Sequence, residues 1–367
     1  MRLESIRIAN FRNHQLLEFG PGPSITVIHG RNGSGKTTIL EAVHYCALTR
    51  GFSGSSDREC LAFGTDHFTI RASFVNDRNF RTEVRVAYSP DNEKQLFVNE
   101  QELDSFSRHV GAIPCVTFTP AELAVISGGP SERRRFIDSA ICQHDRKYLA
   151  DMIQYKRVLQ QRNALLVMGI DAPSSMAAFD IWTDQMAAIS ATIIIGRLEF
   201  LKRFGELFAQ VYSWFPAHLE PEMRYQSSFG NFDNRAGADD LAELFRNRYR
   251  NLKHQEIQRR QTLAGPHRDD LILLNDGHET RRFSSQGEQR SYLIAMKMAL
   301  RSYLLDMTGE SPIILFDDLF SELDPVIEEM IIDSLSSYGQ VLITSTEEFK
   351  RKEIENYSIE NVKINLE

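Results

Sequence analysis

Gly30-Arg31-Asn32-Gly33-Ser34-Gly35-Lys36-Thr37 decides how the rest of the chain is read. The octet fits G-x-x-x-x-G-K-[ST], and it stands in the strand-to-helix context that this pattern requires. Upstream, Ser24-Ile25-Thr26-Val27-Ile28-His29 is a short apolar run bounded by Pro23 and Gly30, which predicts a strand. Downstream, Leu40, Val43, His44 and Ala47 recur at helical spacing, which predicts a helix from Lys36 to about Thr49. Glycines let the backbone curl until several N–H groups point at phosphate oxygens, and a helix N-terminus adds a favourable dipole. On this reading Gly30, Arg31, Asn32, Gly33, Ser34 and Gly35 cradle the phosphates of ATP. Lys36 reaches the β- and γ-phosphates, Thr37 is a ligand of Mg2+, and Thr38 extends the nucleotide-binding run.

Two later segments fit the same chemistry. Ile313-Ile314-Leu315-Phe316-Asp317-Asp318 is an apolar strand ending in two carboxylates. At the C-terminal edge of a buried strand beside the octet, Asp317 can hold Mg2+ through water and Asp318 can orient or activate the attacking water. Asp318 and Lys36 are therefore the candidate catalytic residues. Ser284-Ser285-Gln286-Gly287-Glu288-Gln289-Arg290 precedes an apolar helix predicted over Tyr292 to Leu305. Ser285 can cap that helix and expose N–H groups to a phosphate.

The 367 residues are 42% apolar and 25% charged, which suits a folded protein of two or three domain-sized units. No apolar run approaches the roughly 18–20 residues of a membrane span, and Met1-Arg2-Leu3-Glu4-Ser5 has no signal-peptide pattern, so a cytoplasmic protein is expected. Cys46, Cys60, Cys115 and Cys142 form no C-x-x-C pair, so reduced and mostly buried thiols are expected. The formal net charge of −8 argues against a uniformly basic nucleic-acid coat. Basic residues nevertheless cluster at Arg133-Arg134-Arg135 and again at Arg246, Arg248, Arg250 and Lys253, which allows local anion binding. Arg133, Arg134 and Arg135 are candidate DNA-phosphate contacts, weighed against pairing within the fold with Glu132, Asp138 or Asp145.

Along the chain, strands are predicted at residues 3–8, then a meander over 67–98 with turns at Asn76-Asp77 and Ser89-Pro90-Asp91-Asn92, then Pro114 to Thr119. From Ser131 to about Ala264 helical patterns dominate, broken near Gly169–Ser175 and Gly230–Gly237. Strands return at Asp270–Leu274, Pro312–Phe316 and Gln340–Thr344. His267 and Arg268 form a polar cluster before the first of these, for which a structural or interface role is preferred over catalysis.

Ser284–Arg290 resembles the signature motif of ABC-type ATPases, and Ser321-Glu322-Leu323-Asp324 resembles their D-loop. The order of the motifs along the chain agrees. Asn10-Phe11-Arg12-Asn13, Leu40-Glu41-Ala42, Gly129-Pro130-Ser131-Glu132-Arg133-Arg134-Arg135-Phe136, Gly265-Pro266-His267-Arg268-Asp269-Asp270 and Phe283 to Arg290 together resemble the RecF family over nearly the whole chain.

That resemblance implies an α/β fold: an ABC-type ATPase head, a P-loop NTPase, with an inserted, mainly helical second lobe. Residues 1–119 and 311–367 then form the discontinuous ATP-binding lobe, and residues 120–310 the helical lobe carrying the signature. It further implies an ATP-dependent homodimer in which Ser285 and Gly287 contact the partner's nucleotide, with Asp324 in the D-loop and Arg12 and Asn13 beside the nucleotide. It implies DNA binding at gapped duplex or single-strand/double-strand junctions, work with RecR and RecO in loading RecA, and a nucleoid-associated place in DNA repair, recombination, replication and the SOS response.

Three departures from the ABC pattern predict a weak ATPase acting as a timer. Asp318 stands where a catalytic Glu is usual, Thr346 where a switch His is usual, and Thr119-Pro120 where a Gln is expected. Competing readings are a transporter ATPase subunit, disfavoured by the missing Gln and His, and an SMC-like head partnering a nuclease, disfavoured by the helical insertion. A small-molecule kinase would lack Ser284–Arg290.

Overall fold

The computed structural model describes residues 1–52, 54–170, 172–215, 219–318, 320, 323–335 and 337–359. The chain divides into two compact units. The first comprises Met1–Leu123, Trp214–His218 and Ser285–Glu367, and the second Ala124–Ser213 and Leu219–Ser284. Helix Gln286–Thr308, which the sequence reading assigned to the helical lobe, thus packs with the first unit, against strand Cys115–Phe118.

In the first unit a parallel sheet runs Ile354–Ser358, Ile25–His29, Val341–Ser345, Ile313–Phe316, Cys115–Phe118. Strand Ile313–Phe316 is buried at every residue, as continuous apolar runs in covered parallel strands should be. A second, antiparallel sheet runs His14–Phe19, Arg2–Phe11, Phe68–Val75, Arg81–Ser89, Glu93–Val98, Gln101–Glu102. Its alternation is plain in Phe68–Val75, where Phe68, Ile70, Ala72 and Phe74 turn inward. Helix Lys36–Leu48 contacts strands of both sheets, and its residues from Thr38 to Leu48 are all buried. A helix apolar nearly all round needs cover on every side, and here two sheets supply it. Its one acidic residue, Glu41, is 4% exposed and accepts a 2.7 Å hydrogen bond from Arg12 Nη2. Cys46, Cys60 and Cys115 are buried and Cys142 is half-buried.

The second unit is built on helices Pro130–Cys142, Arg146–Met168, Pro173–Tyr212 and Ala238–Arg259. The 40-residue helix Pro173–Tyr212 packs against both Arg146–Met168 and Ala238–Arg259. A three-stranded sheet, His278–Glu279, Asp270–Asn275, Pro221–Gln226, joins them. Strand Pro221–Gln226 falls in the stretch where helical patterns were expected to dominate. Its residues alternate, with Pro221, Met223 and Tyr225 half-buried and Glu222, Arg224 and Gln226 exposed, a period-2 pattern only six residues long between long helical patterns. It forms because Asp270–Asn275 offers it an antiparallel partner, Leu271 opposite Tyr225 and Leu273 opposite Met223.

Charged groups in this unit are locked inside. Arg162 and Glu256 are both fully buried and meet at 2.6 Å, with Thr183 and Thr262 hydroxyls taking two more guanidinium donors. Arg197 forks onto both oxygens of Asp138 at 2.9 Å and donates to Pro266 O. His267 lies beside the Tyr155 hydroxyl at 2.6 Å, and burial pulls its pKa down to about 4.

Candidate nucleotide site

Parallel strands expose the same end of every strand to one side, and ligands collect at that carboxyl edge. His29, Phe316, Phe118 and Ser345 lie at or near it, with Ser345 paired to His29 and Phe316 to both Ile343 and Phe118. The loops leaving this edge line a cleft of about 360 Å³. Its walls are Asn13, Asn32, Gly33, Gly35, Lys36, Thr37, Thr38, Pro120, Asp317, Asp318, Thr344, Ser345 and Thr346. The octet and the paired aspartates, far apart in sequence, are thus brought to one wall-to-wall site.

The loop conformation needs its glycines. Gly33 and Gly35 hold φ of 80° and 97°, which residues with a Cβ rarely adopt. At Gly35 a Cβ would also stand 2.4 Å from His14 Nε2 and 2.6 Å from Asn13 Nδ2. Asn13 closes this side of the loop: it accepts from Thr38 Oγ1 at 2.8 Å and donates to Gly33 O at 3.4 Å. His14 reaches Gly35 O at 3.1 Å, and burial lowers its pKa, so the neutral ring faces the loop. His14 was not singled out from sequence; its only signal was its place beside Asn13. Arg12 does not line the cleft. Its guanidinium turns to Glu41 and, at 3.2 Å, to Ser55.

Lys36 Nζ donates to Gly30 O at 2.8 Å and Arg31 O at 2.9 Å. Thr37 Oγ1 donates to Asp317 Oδ1 at 2.7 Å, and Thr344 Oγ1 donates to the same oxygen at 2.8 Å. Asp317 is 8% exposed, whereas Asp318 is exposed and held at φ 50° with its N–H on Thr344 Oγ1. Thr344 is therefore a bridge between the two aspartates that the sequence reading passed over. Its signal was the cluster of hydroxyl residues Thr344-Ser345-Thr346 ending an apolar strand.

The residues fit a magnesium nucleotide. A hydroxyl and one carboxylate, both hard oxygen donors, suit an ion that keeps most of its water and is otherwise held by phosphate. The Ser34 hydroxyl oxygen is shielded from solvent and has no hydrogen-bond partner among the described residues.

Ser285 and Gly287 lie outside this cleft, exposed at the start of helix Gln286–Thr308. Ser285 accepts the N–H of Glu288 at 3.3 Å, while Glu288 Oε2 accepts the N–H of Ser285 at 2.7 Å, a reciprocal capping box. Ser321 and Glu322 lie outside the described residues. Asp324 is exposed and accepts the Val326 N–H at 2.8 Å, which caps helix Pro325–Leu335.

The three arginines of the second unit separate sharply. Arg133 is 7% exposed and binds Asp270 through two bonds of 2.8 and 2.9 Å, with Gly128 O as a third partner. This corrects the expectation that Arg133 meets DNA: the guanidinium is buried, and Asp270 and Gly128 O take a donor from each of its three nitrogens. Arg134 is half-buried and donates to Asp269 O at 2.6 Å. Arg135 is 64% exposed and, among the described residues, pairs with Glu132 of its own helix at 2.9 Å.

The fold and the cleft define a P-loop fold of the ABC-ATPase head type. A family described as an AAA domain matches residues 5–191. The DNA replication and repair protein RecF of Chlorobaculum tepidum is 55% identical over all 367 residues, covering 100% of both chains. That of Chlorobium limicola is 47% identical over 95% of this chain and 96% of its own. The solved structure of the recombination mediator protein RecF with ATP, of the RecFOR pathway, aligns with a TM-score of 0.89 at 28% identity, covering 95% of this chain and 93% of that one. The Smc head of Pyrococcus furiosus bound to the C-terminal domain of ScpA shares the fold alone, with a TM-score of 0.54 at 14% identity over 94% of this chain and 89% of that one. The chain belongs to the RecF family.

Proposed function

We propose that this chain is an ATP-controlled DNA-binding switch of replication and recombinational repair, which dimerises around ATP and acts with RecO and RecR to place RecA at gapped DNA. The observation that carries this reading is the cleft at the strand edge, where the octet faces Asp317 and Asp318, in a chain of the RecF family. The full-length likeness favours it over a transporter subunit, a nuclease-partner head or a kinase.

Gly30 to Gly35 present backbone N–H groups to the phosphates, and Lys36 exchanges two backbone carbonyls for phosphate oxygens. Thr37 and Asp317 would hold Mg2+, which would supply charge neutralisation for the phosphates. Asp318 orients water. Asn13 steadies the loop from the side. Arg12 acts one step back, by holding Glu41 and through it the helix that begins at Lys36. Ser285 and Gly287, free of the cleft in their own chain, offer a helix N-terminus to a nucleotide held by a second copy, with Asp324 alongside. Hydrolysis is slow, because Asp318 is one methylene short of a Glu and Thr346 and Pro120 line the cleft where a His and a Gln would serve water better. The ATPase is thus a timer for a cytoplasmic, nucleoid-associated DNA complex, and DNA contacts go mainly to backbone phosphates.

The test is fluorescence anisotropy on a gapped duplex with ATP·Mg2+ and with ADP·Mg2+, for the unsubstituted chain, Lys36→Arg and Ser285→Arg. ATP should tighten binding, and both variants should lose that response. Equal binding in the two nucleotides would sink the switch.

A further inference from the structure

Arg134 lies within electrostatic reach of the carboxylates of Asp138, Asp269 and Asp270, and each of them is committed to another donor. Both oxygens of Asp138 are taken by Arg197 at 2.9 Å, and the Tyr148 hydroxyl adds a bond of 2.6 Å. Both oxygens of Asp270 are taken by Arg133, at 2.8 and 2.9 Å. Asp269 is fully buried; it accepts the N–H and the hydroxyl of Ser228, each at 2.6 Å, and the Tyr225 hydroxyl. Arg134 is left with a neutral acceptor, the backbone carbonyl of Asp269.

A half-buried guanidinium on a carbonyl alone is a charge that the fold leaves unbalanced. Burial, and after it the Arg197 guanidinium, push the Arg134 pKa below the ordinary arginine value. Arg268 repeats the pattern at the surface. It is exposed, its Nη2 donates to Gln261 Oε1 at 2.9 Å and to Thr262 O at 3.3 Å, and among the described residues no carboxylate pairs with it. The two cations lie about the His267 ring, whose pKa is pulled down to about 4 by burial, then by Arg268, with Arg134 adding to the effect. The turn that carries Arg268 is held tightly. The Arg268 N–H donates to Gly265 O at 2.8 Å, and the Gly265 N–H donates to Ser228 Oγ at 2.8 Å. Gly265 sits at φ 128°, and a Cβ there would press on the Tyr155 and Tyr249 hydroxyls.

We propose that Arg134 and Arg268 form a seat for the phosphodiester backbone of DNA, mounted on the Gly265 turn of the helical unit. The proposal rests on the reading of the chain as a DNA-binding protein and adds where a strand is held. Guanidinium forks match phosphate oxygens with paired donors, and a strand brings one negative charge per nucleotide. A phosphate supplies the counter-charge that Asp138, Asp269 and Asp270 give to other partners. Little rearrangement is needed, because both side chains rest on neutral acceptors that a charged oxygen displaces. Contacts of this kind fix the strand without reading its bases, so the seat is indifferent to sequence.

The test is the salt dependence of binding to a gapped duplex with ATP·Mg2+, followed by fluorescence anisotropy. Arg134→Gln and Arg268→Gln should each lower the slope of log affinity against log salt by about one, and the double variant by about two. Each single change should weaken binding roughly 10-fold, the scale of one charge-assisted hydrogen bond. Arg224→Gln is the control, because that exposed guanidinium already has Glu222 at 2.9 Å; slope and affinity should stay with the parent. Equal effects from Arg224→Gln would reduce the result to loss of net charge and overturn the seat. The melting temperature of apo Arg134→Gln should fall by no more than about 3 °C, since its charge is unbalanced in the fold. Should that variant fail to fold, Arg268→Gln decides alone by the same slope. Parental slopes overturn the proposal, and if binding of a poly-glutamate peptide is lost instead, the two cations serve an acidic protein. Absence of DNA binding by the unsubstituted chain removes the DNA-binding reading and the seat with it, whereas binding with parental slopes in the variants removes the seat alone.

Discussion

The two units handle charge in opposite ways. In the nucleotide cleft, Lys36 rests on two backbone carbonyls and Asp318 stands exposed, so each can be recruited by an incoming anion or water. In the helical unit, Arg162, Arg197 and Arg133 are nearly or fully buried and carry bonded carboxylate partners. A charge parked on replaceable partners is available for chemistry. A charge desolvated with a fixed partner is committed to the fold, because removing one partner leaves the other stranded in low dielectric. Counting basic residues cannot make that distinction.

The comparison breaks most visibly at the cleft. Lys36→Ala or Asp317→Asn should cut ATP hydrolysis by roughly 100- to 1,000-fold, the scale of losing one group aimed at transition-state charge. The melting temperature of either apo variant should stay close to that of the parent. A chelator should silence hydrolysis as fully. If either substitution unfolds the chain, the cleft charges are structural and the contrast between the units fails.

The reverse outcome is expected in the helical unit. Arg162→Met leaves Glu256 buried without its cationic partner, held by the Leu263 N–H, and should cost about 3–5 kcal/mol in denaturant unfolding, while the double change with Glu256→Leu should recover most of it. Recovery failing would mean that the Thr183 and Thr262 bonds, rather than the ion pair, dominate there.

Acid should weaken the helical unit through His267. Its folded pKa of about 4 lies below the ordinary value of 6.5, so folding disfavours the proton. The stability this represents is fully present above about pH 6.5 and is lost as pH falls through that value toward 4, up to about 3 kcal/mol in all. His267→Asn should flatten that part of the pH profile, measured by denaturant midpoint between pH 7 and 4.

The smallest effect belongs to the exposed arginine. Arg135→Glu should change stability by no more than about 0.5 kcal/mol and reduce the salt slope of DNA binding by about one. Arg133→Glu, by contrast, should lose the fold of its unit. Reversing all three arginines together would confound the two effects, so single substitutions are the sharper instrument.

Much of this was legible along the chain. Gly30–Thr37 was readable because phosphate loops use local backbone geometry, and local geometry is written in consecutive residues. The cap at Ser285 was readable for the same reason, since its partner Glu288 is three residues away. Strands Ile25–His29 and Ile313–Phe316 announced themselves as apolar runs, and the meander by its alternation.

The remainder depended on partners distant in sequence. Strand Pro221–Gln226 exists because Asp270–Asn275 pairs with it, and its six-residue alternation is too short to stand out between long helical patterns without that partner. Three adjacent arginines look alike in a sequence, and only the packing of helix Pro130–Cys142 onto strand Asp270–Asn275 assigned Arg133 to Asp270 and left Arg135 outside. Thr37 and Asp317 meet across 280 residues, and Thr344 ties the two aspartates together from a third segment. The sequence by itself determined which chemistry the chain can perform, because phosphate loops, caps and strand patterns are short-range. Tertiary structure alone decided which charges are free to perform it, because burial and pairing are set by segments that meet only when the chain has folded.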